Sequence, residues 1–599
     1  MHFNLAGQWI SSNHTSRNHL TDLSTQTRTA RPSVARIRER PSAQVLIVGG
    51  GINGIATFRD LALQGIDVVL VERNDYSSGS SAASSHMIHG GIRYLENGEF
   101  RLVREGVKER NGLLKTAPHY VKPLRTTVPI FSIFSGVLAA PMRFVTHRKG
   151  RSTERGAFLI KVGMTLYDSF SRDGGTVPRH AFHGRRESLR QLPQLNQGIK
   201  YTATYFDASV HDPERLALDV LKDGLATGSH ARSANYVEAV GLDEGGVRVR
   251  DRVSGDEFKI GAEVIINASG PWTDLTNRAL GIDSAHMGGT KGSHIVIDHP
   301  GLLAATGGRE LFFEHSDGRI VLIYPQLGRV LVGTTDLEAD INEPALCTEE
   351  EVDYFFELIA HVFPAVRVDR SDIVFRYSGI RPLPKHDDTQ PGFVSRDYNI
   401  VHSSLPQLPR TTLLSLVGGK WTAFRAVSER LSSEALDVLG APRRVSTDGM
   451  PIGGGVGYPA TDEARQQWIA EHSGALEAVR VARLLERYGT RASVVIDYLV
   501  GREDPPLQHT AAFTAGEIGY LAEQEDVVHL MDVLLRRTNL AFTGDLTAPL
   551  VEELSTVLGA SLGWSAEQAA GEAAAAAAEL HERHGVTLEP AVAGTPGPA

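Results

Sequence analysis

The hydrophobic pattern near the start of the chain predicts a strand, a helix and a second strand in succession. Residues 44–48 are an apolar run that ends in glycines, and residues 53–64 carry apolar side chains at the three- and four-residue spacing of a helix. Residues 67–71 form a second apolar run, which predicts the next strand. A strand, a helix and a strand in this order begin a doubly wound α/β fold.

Farther along, short apolar runs alternate with helical patterns over residues 181–416. In this part we expect strands at residues 247–250, 263–267, 294–297, 320–324, 330–333 and 412–416, and helices at 213–225 and 349–363. From about residue 461 the pattern changes, and long stretches rich in Ala, Glu, Arg and Leu at 462–487 and 565–584 predict helices. The chain therefore combines an α/β part with a helical part.

Composition narrows the classes of protein to which the chain can belong. Its 599 residues are 41% hydrophobic and 22% charged, which is typical of a globular protein of roughly two to four domains. The formal net charge of −10 argues against a general nucleic-acid binder. The single cysteine, Cys347, excludes a disulfide framework and multi-cysteine zinc or iron–sulfur sites, and we expect no bound metal.

Neither a membrane-spanning segment nor a secretory signal is evident. No stretch reaches the ~18–20 uninterrupted apolar residues that a membrane helix needs. Residues 1–42 lack the apolar core of a signal peptide and contain six arginines among many Ser and Thr residues. A disordered tail, a start codon placed too early and a transit peptide all fit this stretch, and the absence of apolar periodicity favours the first two.

A glycine motif between the first strand and the first helix predicts a dinucleotide site. Gly49, Gly51 and Gly54 give the spacing G-x-G-x-x-G, and Glu72 ends the second strand 23 residues after Gly49. The glycines allow a tight turn and a close approach to a pyrophosphate, and the acid can accept hydrogen bonds from both ribose hydroxyls. Because a glutamate disfavours a 2′-phosphate, NADP is disfavoured, while FAD and NAD both stay open.

The segment that follows the Ser/Gly/Ala-rich stretch at residues 77–85 is a candidate substrate loop. It reads SSHMIHGGIRYLE over residues 84–96, with small residues followed by His, Gly-Gly, Arg and Tyr. Such residues suit a loop that packs against a flat ligand and projects polar groups toward it. An ordinary loop before a helix at residues 96–110 explains the same residue types equally well.

With these motifs in place, the chain resembles the FAD-dependent glycerol-3-phosphate dehydrogenases, the quinone-linked enzymes that bind the membrane surface. The resembling stretches fall in order over residues 45–425, about two-thirds of the chain. They are VLIVGGGINGIA, SSHMIHGGIRYLENGEFRLVREGVKER, INASGPWTD, TKGSHIVID, GRIVLIYP, VGTTD, YSGIRPLP and LLSLVGGKWTAFR.

The resemblance implies FAD as the cofactor and a three-part fold. This fold is a glutathione-reductase-type FAD-binding Rossmann domain with an inserted mixed-sheet substrate domain, plus an all-helical C-terminal domain. We expect a disordered or targeting tail at residues 1–42, the interleaved FAD-binding and substrate-capping domains at 43–445, the helical domain at 446–589 and a disordered tail at 590–599.

It also implies which residues bind the cofactor. They come from the glycine motif, the second strand, the candidate substrate loop, a loop at residues 267–270 and a late Gly-Gly turn. In this sequence they are Gly49, Gly51, Ile52, Asn53, Gly54, Glu72, Arg73, Ser84, Ser85, Gly90, Gly91, Gly270, Gly418, Gly419, Lys420 and Thr422. Trp421 departs from the smaller polar residue that we expect there in the family.

A cationic substrate pocket is the third implication. Arg93, Arg319, Arg381 and Lys420 match it, and His89, Tyr94 and His294 accompany them. These residue types suit glycerol 3-phosphate, because guanidinium groups bind phosphate through paired hydrogen bonds and several cations are needed to desolvate it. Oxidation also needs a base for the C2 hydroxyl proton. A histidine suits that role, and His89 is the first candidate.

A basic segment predicts contact with a membrane. Residues 143–161 contain six Lys and Arg residues and one acid, Glu154. Apolar residues lie on both sides of the basic residues. Those on the N-terminal side are Phe131, Ile133, Phe134, Val137 and Leu138, and those on the C-terminal side are Phe158, Leu159, Ile160 and Met164. Such a segment suits an anionic membrane surface. We therefore expect a cytoplasmic protein that is peripherally bound to the cytoplasmic membrane, while a solvated surface loop is the alternative.

The predicted reaction is oxidation of sn-glycerol 3-phosphate to dihydroxyacetone phosphate by hydride transfer to FAD, with membrane quinone as the electron acceptor. A soluble oxidase that passes the electrons to O2 is the main alternative, because the flavin motifs do not separate the two. A related amino-acid or amine oxidase and a non-catalytic flavin-binding protein are further alternatives, and the set of cations argues against both. The sequence leaves a homodimer open and predicts no nucleic-acid partner.

Overall fold

The computed structural model describes residues 31–91, 99–131, 160–161, 163–165, 167–168, 177–314, 320–385 and 397–589. In these ranges the strands are β1 (Ser42–Val48), β2 (Val68–Val71), β3 (Met87–Ile88), β4 (Val121–Ile130), β5 (Ala181–Gly184), β6 (Tyr201–Val210), β7 (Ala231–Ala234), β8 (Val237–Asp243), β9 (Gly246–Asp251), β10 (Glu257–Asn267), β11 (Met287–Ile297), β12 (Glu310–Glu314), β13 (Ile320–Gln326), β14 (Arg329–Gly333), β15 (Leu337–Glu338), β16 (Ile373–Pro384), β17 (Asn399–Leu405) and β18 (Leu408–Val417).

The helices in the same ranges fall into an early set between the strands and a late, continuous set. They are α1 (Pro32–Glu39), α2 (Ile52–Leu63), α3 (Phe100–Thr116), α4 (Arg185–Gln191), α5 (Pro213–Leu225), α6 (Thr273–Ala279), α7 (Pro300–Ala305), α8 (Glu349–Val362), α9 (Phe424–Leu439), α10 (Asp462–His472), α11 (Ala478–Tyr488), α12 (Ala492–Leu499), α13 (Ala515–Gln524), α14 (Leu530–Asp532), α15 (Leu540–Thr543), α16 (Ala548–Leu562) and α17 (Ala566–His584). A π-helical turn, Val533–Arg537, follows α14.

The first sheet, here called the cofactor sheet, has the strand order β17-β18-β10-β1-β2-β7. Strand β1 pairs in parallel with β10 on one side and with β2 on the other, so Val48 lies opposite both Asn267 and Val71. The central strands are apolar and fully buried over residues 45–48 of β1 and over the whole of β2, as expected for parallel strands that are covered on both faces. The carboxyl ends of these strands meet at one edge, where open α/β sheets bind their ligands.

A second, mixed sheet, here called the substrate sheet, has the order β15-β11-β14-β13-β12-β4-β6-β3, with β16 on β11 and β5 on β6. Strands β11 and β16 are antiparallel, and their register sets Thr290 opposite Arg381 and His294 opposite Tyr377. Helix α8 packs on this sheet through buried residues such as Phe355. The register therefore gathers two predicted site residues on neighbouring strands.

The late helices form a core of their own that continues into the substrate sheet. Buried side chains of this core include Leu484, Leu521 and Leu554 from the helices, and Phe375 and Tyr377 from β16. Among the described residues, no helix combines the length and the apolarity needed to cross a bilayer.

The N-terminal boundary differs from the prediction. Residues 1–42 were expected to be a tail, yet Pro32–Glu39 forms helix α1, which buries Val34 and Ile37 among the apolar residues of the cofactor sheet. Arg31 precedes the helix and hydrogen-bonds the Asn235 carbonyl over 2.8 Å. The tail prediction is therefore wrong for these residues. Two apolar contacts in an eight-residue helix are too few to give a recognisable periodicity.

Two helix predictions also need correction. The helix expected at residues 96–110 is α3, which begins at Phe100 and ends at Thr116. The stretch at 462–487 is not continuous but contains two helices, because Ser473 and Gly474 interrupt it and glycine is a poor helix former.

Candidate functional site

The glycine motif forms a tight cradle between β1 and α2. Gly49 has a φ of +114°, and a Cβ atom there would lie 2.6 Å from the Ala268 carbonyl oxygen. A Cβ atom on Gly54 would lie 1.9 Å from the Gly49 carbonyl oxygen. Only glycine fits at either position. Helix α2 begins at Ile52, so its first backbone N–H groups face the edge where a pyrophosphate binds.

The carboxylate of Glu72 is held beside this cradle. Its two oxygens accept hydrogen bonds from the Gly50 backbone N–H over 2.7 Å and from the Asn74 backbone N–H over 2.9 Å. Burial raises the pKa of this carboxyl above its ordinary value. The carboxylate therefore has a fixed position at the end of β2, where a ribose would lie.

Two serines connect the segment after Glu72 to the rest of the site. We call residues 72–85 the cofactor loop. Ser81 Oγ accepts a hydrogen bond from the Ile52 N–H over 2.9 Å, and Ser80 Oγ donates one to the Ile380 carbonyl over 2.6 Å. Trp421 Nε1 donates to the Ser81 carbonyl over 3.1 Å. The cofactor loop thus contacts the glycine cradle, the substrate sheet and Trp421, the residue that differs from the one expected in the family.

A cleft of about 1830 Å³ runs along the cradle and the cofactor loop. Gly49, Asn53, Glu72 and Trp272 are among its lining residues, and the guanidinium of Arg73 lies 4.5 Å from the centre of a Trp272 ring. Asn53 Oδ1 is buried with no hydrogen-bond partner in the described part of the chain. A glycine cradle, a fixed carboxylate and a buried acceptor that awaits a donor fit a dinucleotide.

The turn after β18 packs against the start of α2. Gly418 and Gly419 have φ values of +88° and +118°, and a Cβ atom on Gly419 would lie 2.8 Å from Asn53 Nδ2. Thr422 is buried just beyond the turn, whereas Lys420 is partly exposed. The structure therefore brings the late Gly-Gly turn to the cradle, although roughly 370 residues of chain separate them.

Among the predicted substrate residues that the structure describes, His294 is the most enclosed. Its Nε2 atom is joined to Ser85 Oγ by a hydrogen bond of 2.8 Å, and its ring stacks on Tyr377 at a centroid distance of 4.8 Å. A Cβ atom on Gly333 would lie 2.1 Å from the His294 ring, so glycine is required opposite it. Burial, and then the nearby charge of Arg381, hold the pKa of His294 well below its ordinary value. The imidazole is therefore neutral at pH 7.

Arg381 is fixed in place by the turn between β14 and β15. Its guanidinium donates to Asp336 Oδ1 over 3.0 Å, to Thr334 Oγ1 over 3.0 Å and to the Thr335 carbonyl over 2.8 Å. A Cβ atom on Gly292 would lie 2.1 Å from one guanidinium nitrogen. The side chain is thus a preorganised, partly buried cation next to Ile380, which contacts the cofactor loop.

The turn that contains His89 rests on a buried polar cluster. The Gly90 N–H donates to Asp207 Oδ1 over 3.0 Å, and the same oxygen accepts from Arg110 over 2.8 Å and from Tyr167 over 3.0 Å. A Cβ atom on Gly90 would lie 2.0 Å from the Tyr167 hydroxyl. The next residue, Gly91, has a φ of +76°. The Gly-Gly pair is therefore required by the backbone and by this cluster.

Comparison with known proteins places the chain in a family. Residues 44–423 match the family model described as FAD dependent oxidoreductase, and residues 445–569 match one described as the C-terminal domain of alpha-glycerophosphate oxidase. The chain is 34% identical over 558 residues to a glycerol-3-phosphate dehydrogenase of Synechocystis, a match that covers 88% of this chain and 94% of that protein. The chain belongs to the FAD-dependent glycerol-3-phosphate dehydrogenase family. The predicted family membership is confirmed.

Two further glycerol-3-phosphate dehydrogenases are similar to this chain, one in sequence and one in structure. A glycerol-3-phosphate dehydrogenase of Pseudomonas aeruginosa is 30% identical over 519 residues, which are 83% of this chain and 91% of that protein. The solved structure of the Bacillus halodurans glycerol-3-phosphate dehydrogenase in complex with FAD shares the fold, with a TM-score of 0.70 and 24% identity over 92% of this chain and 97% of that one. The predicted fold class is confirmed, and the predicted cofactor, FAD, is confirmed by the family.

Some predicted site residues lie outside the described part of this family member. Arg93, Tyr94 and Arg319 belong to this group, and so do residues 143–159 of the basic segment. Within the described part, Met164 is buried against Val107 and Tyr205. Met164, which flanks the basic segment in the sequence, is therefore a core residue.

Sequence reasoning missed several residues that shape the site. Ser80 and Ser81 lie inside a predicted loop, eight and nine residues after the strand-end acid Glu72, and the run of small residues in that loop was the available signal. Tyr377 stands one residue before the SGIRP stretch and could have been found through it. Asp207 gave no signal, because it lies 117 residues from Gly90 in the sequence.

Proposed function

We propose that this protein oxidises sn-glycerol 3-phosphate to dihydroxyacetone phosphate by hydride transfer to FAD. The observation that carries the proposal is the fixed guanidinium of Arg381, which donates hydrogen bonds to Asp336, Thr334 and Thr335. The preceding residue on the same strand, Ile380, accepts a hydrogen bond of 2.6 Å from Ser80 of the cofactor loop, so this strand contacts that loop directly. A preorganised guanidinium in this position suits the phosphate of the substrate. The names of the relatives, which are glycerol-3-phosphate dehydrogenases, support the same substrate.

Phosphate binding is assigned to a set of cations. Arg381 on β16 and Lys420 after the Gly-Gly turn are its described members, and Arg93 and Arg319 are the further members that the family resemblance implies. Tyr94 completes the proposed pocket. A phosphate near neutral pH carries about two negative charges, so more than one cation is needed to offset the loss of its hydration.

FAD, held by the glycine cradle and Glu72, would supply the acceptor that takes the hydrogen of substrate C2 as a hydride. A protein base must take the proton of the C2 hydroxyl, and two histidines are candidates. His89 lies on the turn that Asp207 supports. His294 is neutral, but burial and Arg381 hold its pKa well below the ordinary value and make it the weaker base of the two candidates. The Nδ1 atom of His294 is buried and has no hydrogen-bond partner among the described residues. Cations such as Arg381 stabilise the alkoxide that develops.

The proposed electron acceptor is quinone at the cytoplasmic membrane. The basic segment at residues 143–161, with its apolar neighbours, supports peripheral attachment to an anionic surface. O2 is the second candidate acceptor, and the description of the matching C-terminal family model, which names an alpha-glycerophosphate oxidase, favours it. The two acceptors give different products, a quinol and hydrogen peroxide.

Anaerobic bleaching of the flavin absorption tests the proposal. We expect sn-glycerol 3-phosphate to bleach the purified holoenzyme, and a soluble quinone analogue to restore the colour much faster than air. Fast restoration by air with release of hydrogen peroxide would instead support the oxidase. A yellow protein that the substrate does not bleach would overturn the substrate assignment, and a panel of amino acids and amines in the same assay would test the remaining oxidase alternative.

A further inference from the structure

We propose that the C-terminal helical region controls how tightly the protein holds FAD, through two arginines that fix Asp75 on the cofactor loop. The two arginines are Arg536 and Arg537, in the π-helical turn after α14. The inference concerns cofactor retention and does not depend on the substrate or the electron acceptor.

Asp75 is fully buried, and its carboxylate is saturated by donors from outside its own loop. Oδ2 accepts from Arg536 Nε over 2.5 Å and from Arg537 Nη1 over 2.6 Å. Oδ1 accepts from Arg537 Nη2 over 2.9 Å and from Asn235 Nδ2 over 2.9 Å. Charge-assisted and bidentate contacts of this kind fix both position and orientation. The arginines of the C-terminal region thus supply most of the hydrogen bonds that hold this carboxylate.

The two arginines are themselves anchored within the helical region. Arg537 Nη2 donates to the Glu525 carbonyl over 2.8 Å, and Arg536 Nη2 donates to Asp532 Oδ1 over 2.7 Å. Asp532 Oδ1 also accepts from the Tyr236 hydroxyl over 2.6 Å, which ties the cluster back to the cofactor sheet. The position of Asp75 is therefore set by the docking of the helical region as a whole.

The residues next to Asp75 make hydrogen bonds to the groups of the protein that are expected to bind the cofactor. Its neighbour Asn74 donates its backbone N–H to the Glu72 carboxylate over 2.9 Å, and the Ser77 N–H donates to the Gly50 carbonyl over 2.9 Å. Asp75 and Arg536 both line the cleft that contains the glycine cradle. A displacement of Asp75 would thus move the carboxylate that receives the ribose and the backbone that receives the pyrophosphate.

Thermodynamic linkage makes this coupling reciprocal. If docking of the helical region fixes the loop in the form that binds FAD, then bound FAD must stabilise the docked region by the same factor. Removal of one arginine leaves the buried Asp75 charge partly uncompensated, which favours a displaced loop. The effect on FAD binding appears in the FAD Kd, and the effect of FAD on the helical region appears in hydrogen exchange, so the two can be compared.

The test uses the full-length protein and compares Arg537→Gln with the matched variant Arg491→Gln. Arg491 also joins the helical region to the FAD-binding part, with hydrogen bonds of 2.7 Å to Asp219 and 2.5 Å to Asp223, but within the described ranges it makes no hydrogen bond to the cofactor loop. The FAD Kd is measured by fluorescence titration of each apoprotein. Hydrogen exchange of residues 525–545 is measured with and without FAD.

We expect Arg537→Gln to raise the FAD Kd at least about tenfold and to abolish the protection of residues 525–545 by FAD, while Arg491→Gln leaves the Kd within about twofold of the wild-type value. Arg537→Lys, which keeps the charge but loses the paired hydrogen bonds, should give an intermediate Kd and serves if Arg537→Gln does not fold. An unchanged Kd in folded Arg537→Gln, or in Arg537→Lys where only that variant folds, would overturn the proposal. An equal rise in Arg491→Gln would also overturn it, since the effect would then belong to the whole interface.

Discussion

The Nε2 atom of His294 lies 2.8 Å from Ser85 Oγ, so a hydrogen bond joins the substrate sheet to the cofactor loop at the proposed site of the reaction. We expect His294→Asn to lower kcat/KM for sn-glycerol 3-phosphate by about tenfold or more, because the hydrogen bond and the stacking on Tyr377 both change. The acid limb of the pH–rate profile should stay in place, since His294 is already neutral at pH 7. The same assay with His89→Asn tests whether protonation of His89 causes the acid limb. A loss of the limb in His294→Asn would contradict this expectation and would identify His294 as the base.

Arg381→Lys tests the phosphate pocket. A lysine keeps the charge but cannot maintain hydrogen bonds to Asp336 and the Thr335 carbonyl while it also pairs with phosphate. We expect a loss of about 1.5–3 kcal/mol of substrate interaction, which is about 10- to 150-fold in kcat/KM. Steady-state kinetics with glycerol as a second substrate provide the comparison, because glycerol lacks the phosphate and should lose far less. An equal loss for both substrates would show that Arg381 does not recognise phosphate.

Gly90→Ala should destabilise the protein. The new methyl group would lie 2.0 Å from the Tyr167 hydroxyl and would press on the hydrogen bonds of Asp207. An overpacked site of this kind costs about 1–3 kcal/mol of unfolding free energy. Urea denaturation monitored by circular dichroism measures the change. Gly112→Ala is the matched control, because no atom lies within 4 Å of a Cβ atom at that helical position. Similar midpoints for the two variants would refute the steric explanation.

Buried histidines should make the folded protein sensitive to mild acid. Burial lowers the pKa of His86 to about 3, from an ordinary value of 6.5 that applies in the unfolded chain. As the pH falls below 6.5 the unfolded chain takes up a proton that the folded protein does not, so stability is lost by about 2 kcal/mol at pH 5 for this residue. His86→Gln should therefore show a smaller difference in unfolding free energy between pH 7 and pH 5 than the wild-type protein. An unchanged difference would mean that His86 takes up its proton in the folded state.

The features that could be predicted from the sequence are those whose contacting residues lie close together along the chain. The glycine motif with Glu72 predicted the cradle, because strand, turn, helix and acid lie within one local unit of the chain. The resemblance supplied FAD and the three-part fold. Helix α1 was missed because its contacts with the sheet form only in the folded protein and leave little periodicity behind.

The contacts that complete the site could not be predicted from local patterns. Asp207 supports Gly90 across 117 residues, and Ser80 meets Ile380 across 300 residues. The two arginines on Asp75 come from 461 and 462 residues away. Each of these groups looks like an ordinary loop or helix residue in its own segment, and only the packing of distant elements gives it a partner.

The pairing of β1 with β10 has a consequence for biosynthesis. The first strand of the cofactor sheet finds its neighbour β10 only after roughly 200 further residues have left the ribosome, which takes about 10–40 s at ordinary translation rates. During that time an apolar strand with an open edge is exposed to solvent, where it can pair with other nascent chains. Factors that shield emerging strands would therefore aid production of this protein, and slower translation would lengthen the period of exposure.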